Sequence, residues 1–196
     1  MIEALVRRIQ SHKPTTIEAD FPEAGILVPV TRNAENPKII LTRRAEHLNT
    51  HKGQVAFPGG KFDQEDGCLL NTALRECHEE VGLAAHQVEV IGQLSQVISL
   101  HGIRVTPYVG LVDEGVELTP NLNELDSIFQ VPVSFFRQAQ PKRRDRMTFR
   151  DMALSVPSYD YQYQGENYEI WGLSSIVLME LMNVAFDLNI PIFDES

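Results

Sequence analysis

The sequence predicts an α+β domain in which helices pack on a mixed β-sheet. Strand-like segments outnumber helical ones, and the two kinds follow one another in mixed order, which favours layered packing. A length of 196 residues fits one domain spanning residues 1–196. A chain of this size buries roughly 70% of its unfolded surface and needs no disulfide or metal to fold. Hydrophobic content of 43% with 22% charged residues is ordinary globular composition.

Ile2, Leu5, Val6 and Ile9 fall at helical spacing, so Met1–His12 is predicted as a helix within an N-terminal extension over residues 1–23. Gly25–Thr31 and Lys38–Thr42 read as strands joined by the turn-like NAENP. Residues 44–68 are rich in His, Asn and Gly and read as loop, with a short strand at Val55–Phe57. Leu69–Val81 is the clearest helix. Val88–Leu100 and Arg104–Val112 read as two strands around a tight loop at His101-Gly102. Asn121–Gln130 reads as loop and turn, and Ser134–Gln138 as a short helix. Met147–Tyr163 with Asn167–Trp171 suggests a hairpin, and an apolar helix over about 174–188 closes the chain.

Charge narrows the partners. There are 27 Asp and Glu against 17 Lys and Arg, a net charge of −10, so the basic footprint of a nucleic-acid binder is missing. An acidic protein still binds phosphates when a divalent cation carries the positive charge. Cys68 and Cys77 form neither a metal-like spacing nor a disulfide framework. The opening residues MIEALVRRIQSHK lack a signal peptide's apolar core, and IVLMELMNVAF is too short to span a bilayer. The expected setting is cytoplasmic, with no membrane partner. Oligomeric state stays open, a homo-oligomer included.

On a helical wheel, Leu70, Ala73, Leu74, Cys77 and Val81 form one stripe, which predicts the buried face of the Leu69–Val81 helix. Glu76, Glu79 and Glu80 gather on another face, expected to be exposed. Like charges at these spacings repel by about 0.2–0.5 kcal/mol per pair. Arg75 reaches Glu79 one turn on, but one Arg does not neutralise three acids. A divalent cation does, and carboxylate oxygens suit Mg²⁺ or Mn²⁺. A bare pair of helical glutamates is usually a solvated face. Here Phe57-Pro58-Gly59-Gly60 precedes the helix, and paired glycines admit close approach of a metal or phosphate.

The stretch Gly60–Leu83, GKFDQEDGCLLNTALRECHEEVGL, resembles the Nudix box: a Gly, five residues, a Glu, seven residues, then Arg-Glu-apolar-x-Glu-Glu-x-Gly-apolar. Arg75, Glu76, Cys77, Glu79, Glu80, Gly82 and Leu83 match. Asp66 stands where the family has Glu, and eight residues separate it from Arg75. Asp66 reads as a helix cap. Upstream, LTRRAEHLNTHKGQVAFPGG resembles the extra motif of the coenzyme A pyrophosphatase branch, matching at Thr42, Arg44, Ala45, Gly53, Gln54, Val55 and Phe57–Gly60. Asn49 departs from it, standing in place of Arg. Asn123–Asp126 with Phe129-x-Val131-Pro132, and Ile170–Ser174, resemble two later segments of the same branch.

The resemblance implies a Nudix-type α/β/α sandwich that hydrolyses a diphosphate with Mg²⁺ or Mn²⁺. Metal ions in this family neutralise the diphosphate, polarise the P–O bond and activate the attacking water. Glu76 and Glu80 are the principal expected ligands, Glu79 the third, with the Gly59 and Gly60 carbonyls completing the set. Arg75 is expected to orient the glutamates, and Glu124 to act as general base or a further ligand. The branch implies a small nucleotide substrate, coenzyme A or a derivative, cut to 3′,5′-ADP and 4′-phosphopantetheine. Arg43, Arg44, Lys52, Arg104 and Gly59 are the expected substrate contacts, since Arg matches phosphate geometry. The run Lys142, Arg143, Arg144, Arg146 reads as a solvated hairpin end, Trp171 and Phe57 as core, and His47, His51, His78 and His101 as scattered. Alternatives are another Nudix substrate, such as ADP-ribose or a dinucleoside polyphosphate, and a non-catalytic nucleotide-binding module. The three glutamates argue against the last.

Overall fold

A computed structural model describes residues 1–18, 20–149 and 152–191. The elements in order are α1 (Ile2–Ser11), β1 (Glu23–Thr31), β2 (Lys38–Arg44), β3 (Val55–Ala56), β4 (Gly59–Lys61), α2 (Leu69–Val81), β5 (Glu89–Gln93), β6 (Val97–Ile98), β7 (Arg104–Val112), β8 (Leu125–Pro132), α3 (Val133–Gln138), β9 (Arg143–Phe149), β10 (Met152–Tyr163), β11 (Glu166–Ile170) and α4 (Gly172–Phe186). The main sheet runs β3-β2-β1-β7-β5, with β4 added to β1, β6 to β7 and β8 to β2. It is mixed: β1 and β7 are parallel, and the other pairs are antiparallel. A second sheet, β11-β10-β9, lies beside it.

Alternation along β1 separates two cores, because successive strand side chains point to opposite faces. Leu27 packs with Ala73, Cys77 and Val81 of α2, while Ile26, Val28 and Val30 join Leu5 and Ile9 of α1 and Val177, Leu181 and Met182 of α4. Helices therefore cover both faces of the main sheet, which is the layered α+β arrangement expected from the sequence. No described helix is long and apolar enough to cross a membrane.

Two expectations are corrected. Asn121–Gln130 is not all loop: β8 begins at Leu125 and pairs along β2 from Arg44 to Lys38. Its Asp126, Ser127 and Pro132 are turn-formers, but Leu125, Phe129 and Val131 are buried against the core, and that long-range pairing outweighs local preference. Val88–Leu100 is not one strand. The Leu94 amide still reaches the Pro107 carbonyl of β7, but the Ser95 and Gln96 amides turn to the Glu180 carboxylate and the Thr15 carbonyl. The basic run is exposed, with Arg143, Arg144 and Arg146 in β9; Lys142, just before it, pairs with Asp160 at 2.9 Å, and Arg143 pairs with Asp145 and Glu169.

Candidate active site

Helix α2 lies unusually near the sheet because β1 carries glycine beneath it. A side chain at Gly25 would place its Cβ 2.2 Å from the Leu69 carbonyl oxygen. Ala73, Cys77 and Val81 fix the rotation of the helix by burying their stripe. That rotation carries Glu76 and Glu80 to the edge of β4. A Cβ at Gly60 would fall 2.4 Å from the Glu76 carboxyl carbon, so Gly60 leaves the space this carboxylate occupies. The Gly59 N–H donates to Glu80 Oε2 at 3.1 Å.

The glutamates do not share one environment. Glu80 is 4% exposed, correcting the expected exposed face, because close helix–sheet packing encloses it. Burial pushes its carboxyl up to about 7; the Gly59 N–H opposes the rise, while the charges of Glu124 and Glu76 add to it and Arg44 counters them. Glu79 is half exposed. Arg75 Nη1 donates to Glu76 Oε1 at 2.8 Å and to Glu79 Oε2 at 3.2 Å, so one guanidinium holds two of the three acids.

Asp66 anchors that guanidinium. Arg75 Nε donates to Asp66 Oδ1 at 2.7 Å and Nη2 to Oδ2 at 3.0 Å, a two-point pairing with a carboxylate only 5% exposed. Thr72 Oγ1 adds a bond to Oδ2 at 2.8 Å. The residue at the N-cap of α2 is Cys68, so Asp66 is not the helix cap expected from sequence. The Arg75 pairing holds its carboxyl well below the ordinary carboxylate range, against the opposing effect of burial. This depressed value gives stability that is fully present above the unfolded value of about 3.9 and lost as pH falls towards the folded one. Asp66→Asn should keep the fold near neutral pH and raise the Mg²⁺ concentration for half-maximal activity about 10–100-fold, the effect of losing an outer partner of a ligand set. A Mg²⁺ titration unchanged from wild type would show that the Arg75 tether does not position the glutamates.

Glu124 arrives from the segment preceding β8. Its amide donates to the Asn121 carbonyl, and Asn121 N–H in turn donates to the Glu80 backbone carbonyl at 2.8 Å. Asn121 Nδ2 lies 3.3 Å from Glu124 Oε1. Asn121 is a site residue that sequence reading missed, since a loop Asn carries no local signal of a partner 41 positions away.

The expected substrate cations diverge. Arg43 turns to the second sheet, its guanidinium carbon 4.9 Å from the centre of the Tyr168 ring. Arg44 turns the other way into a cavity of about 340 Å³, and its buried Nε has no hydrogen-bond partner among the described residues. Arg104 donates to the Ile17 carbonyl at 2.7 Å and to Glu23 Oε1 at 2.6 Å, tying β7 to the chain before β1. Lys52 is exposed on the loop beside His51. The structure thus gathers Glu76, Glu79, Glu80, Glu124, Arg75, Gly59, Gly60 and Arg44, and leaves Arg43, Lys52 and Arg104 apart from them. Phe57 is buried as expected, but Trp171 is only half-buried and lines the cavity. His51 and His101, distant in sequence, meet edge to face with ring centres 4.7 Å apart at the same cavity.

The donor set fits a hard divalent cation. Oxygen donors converge at the side-chain-free edge of β4, and acids outnumber the cations Arg75 and Arg44. With Arg75 holding Glu76 and Glu79, no three acidic, His or Cys side chains among the described residues stand in ready-made coordinating geometry.

Comparison with known proteins agrees with this architecture. The NUDIX domain family profile matches residues 22–149. The chain is 37% identical over 175 residues to the uncharacterized Nudix hydrolase NudL of Yersinia enterocolitica, covering 89% of this chain and 87% of that one. It is 39% identical over 158 residues to the uncharacterized NudL of Yersinia pestis, covering 81% and 77%. Among solved structures, a MutT/nudix family protein from Enterococcus faecalis aligns with a TM-score of 0.55 at 15% identity, covering 95% of this chain and 70% of that one. A NUDIX hydrolase from Alicyclobacillus acidocaldarius aligns with a TM-score of 0.52 at 18% identity, covering 62% and 83%. The sequence matches, together with glutamates of one helix brought against a glycine strand edge, establish that the chain belongs to the Nudix family and is a Nudix hydrolase.

Proposed function

We propose that the protein hydrolyses the diphosphate bond of coenzyme A or a derivative, giving 3′,5′-ADP and 4′-phosphopantetheine or its acylated form. One observation carries the reading: six of the ten residues on which the upstream resemblance rests, Arg44, Gln54, Val55, Phe57, Gly59 and Gly60, line a single cavity, and Gly59 and Gly60 also lie against Glu80 and Glu76. Family resemblance and tertiary placement therefore point to the same space.

Nudix hydrolases generally use divalent cations. Glu76, Glu80 and Glu79, with the Gly60 carbonyl, would hold Mg²⁺ or Mn²⁺ here. When bound, the cation neutralises the diphosphate and polarises the P–O bond. The chain's own groups do the rest. Arg44 approaches the diphosphate from the cavity side, where its Nε has no competing acceptor. Glu124, half-exposed and held by one long bond from Asn121, accepts the proton of the attacking water. Water adds to one phosphorus, the bridging P–O bond breaks, and two phosphomonoesters leave. Arg75, fixed by Asp66, positions the glutamates and does not touch substrate. Arg43 and Arg104 hold the scaffold, and Lys52, exposed next in sequence to the cavity-lining His51, is the proposed contact for the 3′-phosphate.

A net charge of −10 gives no general attraction for a polyanion, so local cations must supply it. A hydrogen bond to a charged group is worth about 1.5–3 kcal/mol, roughly ten- to a hundredfold. Coenzyme A should accordingly show a kcat/KM about ten- to a hundredfold above that of its 3′-dephospho form. The test is a panel of coenzyme A, dephospho-coenzyme A, ADP-ribose and a dinucleoside polyphosphate with Mg²⁺, products identified by mass. Preference for ADP-ribose or the dinucleotide would defeat the coenzyme A assignment and leave the family assignment standing.

A further inference from the structure

Partner positions along β2 and β8 run in step from Lys38 with Pro132 to Arg43 with Ser127. The next pair is Arg44 with Leu125, so Asp126 is an extra residue, a bulge in β8. Side chains alternate between the faces of a sheet, and one inserted residue turns the chain before it to the other face. The two cores record that turn. Phe129 and Val131 lie in the core shared with α1 and α4, where strict alternation would also put Leu125. Leu125 instead joins Ile128 in the core of Ala73, Cys77 and Val81 beneath α2. The bulge therefore brings the chain before it, Glu124 included, towards the helix that carries the other glutamates.

The extra residue is tied down by its own side chain. Asp126 Oδ2 accepts the Glu46 N–H at 3.1 Å. The Ala45 N–H donates to the Glu124 carbonyl at 2.8 Å. His47 Nε2 lies 3.1 Å from the Asn123 carbonyl oxygen; a carbonyl only accepts, so Nε2 is the donor. Consecutive residues after β2 thus hold Asn123, Glu124 and Asp126 from one side. From the other, the Asn121 N–H holds the Glu80 carbonyl at 2.8 Å. The Glu124 backbone is pinned between β2 and α2, while its carboxylate has one hydrogen bond among the described residues, 3.3 Å from Asn121 Nδ2. A fixed backbone with a loosely held carboxylate suits a group that must meet a water at a set place and take its proton.

We propose that Asp126 and His47 are positioning residues for Glu124: together they hold the bulge that aims the proton acceptor at the site of Glu76 and Glu80. The proposal rests on the reading of Glu124 as general base given above. Neither side chain lines the cavity, and both are exposed, so neither core depends on them. Without these ties β8 is free to slip by one residue, with Asp126 opposite Arg44 and Glu124 turned from α2. Misplacing a reacting group by about 1 Å costs up to about a hundredfold in rate.

The experiment measures kcat, KM and melting temperature with Mg²⁺ and the best substrate of the panel above. Asp126→Ala and His47→Ala should each lower kcat about tenfold, with KM and melting temperature near wild type, since a misplaced base weakens the transition state and not substrate binding. Asp126→Asn and His47→Gln should recover most of that loss, because an amide oxygen still accepts the Glu46 N–H and an amide nitrogen still donates to Asn123. Glu124→Gln should lower kcat about a hundredfold or more. Added to Glu124→Gln, Asp126→Ala should cost nothing further, because the group it positions is gone. Unchanged kcat in both alanine variants, or the same loss with and without Glu124, would overturn the positioning role and leave Glu124 as the base. Loss that Asn and Gln do not recover would overturn the hydrogen-bond ties. Full turnover by Glu124→Gln would overturn the base reading and the proposal with it. If Asp126→Ala does not fold, His47→Ala against His47→Gln decides by the same criteria, since that bond lies outside the β2–β8 ladder.

Discussion

Replacing Glu80 by Gln is expected to lower kcat/KM about a thousandfold, the ~4 kcal/mol that loss of a metal-ligating charge at a polarised phosphate entails. The substitution is close to isosteric, and its amide oxygen still accepts the Gly59 N–H. Stability should move the other way. Burial holds the Glu80 carboxyl up to about 7, above the unfolded value of about 4.3. A raised folded value gives stability that is fully present below the unfolded value and lost as pH rises through the folded one. Gln does not titrate. Between about pH 5 and pH 8, the metal-free wild type should therefore lose about 1–3 kcal/mol relative to Glu80→Gln. Thermal melts in EDTA at both pH values, beside kinetics in Mg²⁺, test the two halves separately. Near-wild-type turnover by a folded variant would remove Glu80 from the metal site. A lowered melting temperature at the higher pH would make it a structural carboxylate.

Chelation should abolish activity altogether, with Mg²⁺ or Mn²⁺ restoring it. Glu76, Glu79, Glu80 and Glu124 face a substrate that is itself polyanionic, and Arg75 and Arg44 supply only two compensating charges. Without a cation, the site repels what it must bind. Zn²⁺ should serve poorly, because the donors are oxygens with neither thiolate nor imidazole among them. Added Mg²⁺ should also raise the melting temperature, since a ligand that binds only the native state stabilises by about 2.7 kcal/mol at a hundred times its Kd. Full turnover after exhaustive chelation, or no thermal response to Mg²⁺, would contradict the assignment.

Much of this arrangement is local and readable from the chain. Leu69–Val81 is helical over the predicted range because its apolar stripe repeats at 3.6 residues and Gly82 stops it. Arg104–Val112 is likewise a strand over its predicted length. The placement of three glutamates and one arginine on that helix follows from spacing alone, as does the Arg75 contact with Glu79.

Where sequence reading stopped, the determining contact was long-range. Arg43 and Arg44 are equivalent on paper, but neighbours on a strand face opposite ways. Only the packed sheets show that Arg43 meets Tyr168 while Arg44 enters the cavity. Glu124 is an ordinary loop acid until β8 pairs with β2 and the chain before it closes on the Glu80 backbone. His51, His101, Met147 and Trp171 come from four separate segments, and no periodicity relates them before the sheets form. The sequence by itself determined the family, the helix and the identity of the acids, because those depend on spacing within a few turns. Tertiary structure alone decided which glutamate is buried and which arginine faces the cavity, because these depend on strand register and on how closely a helix approaches a glycine.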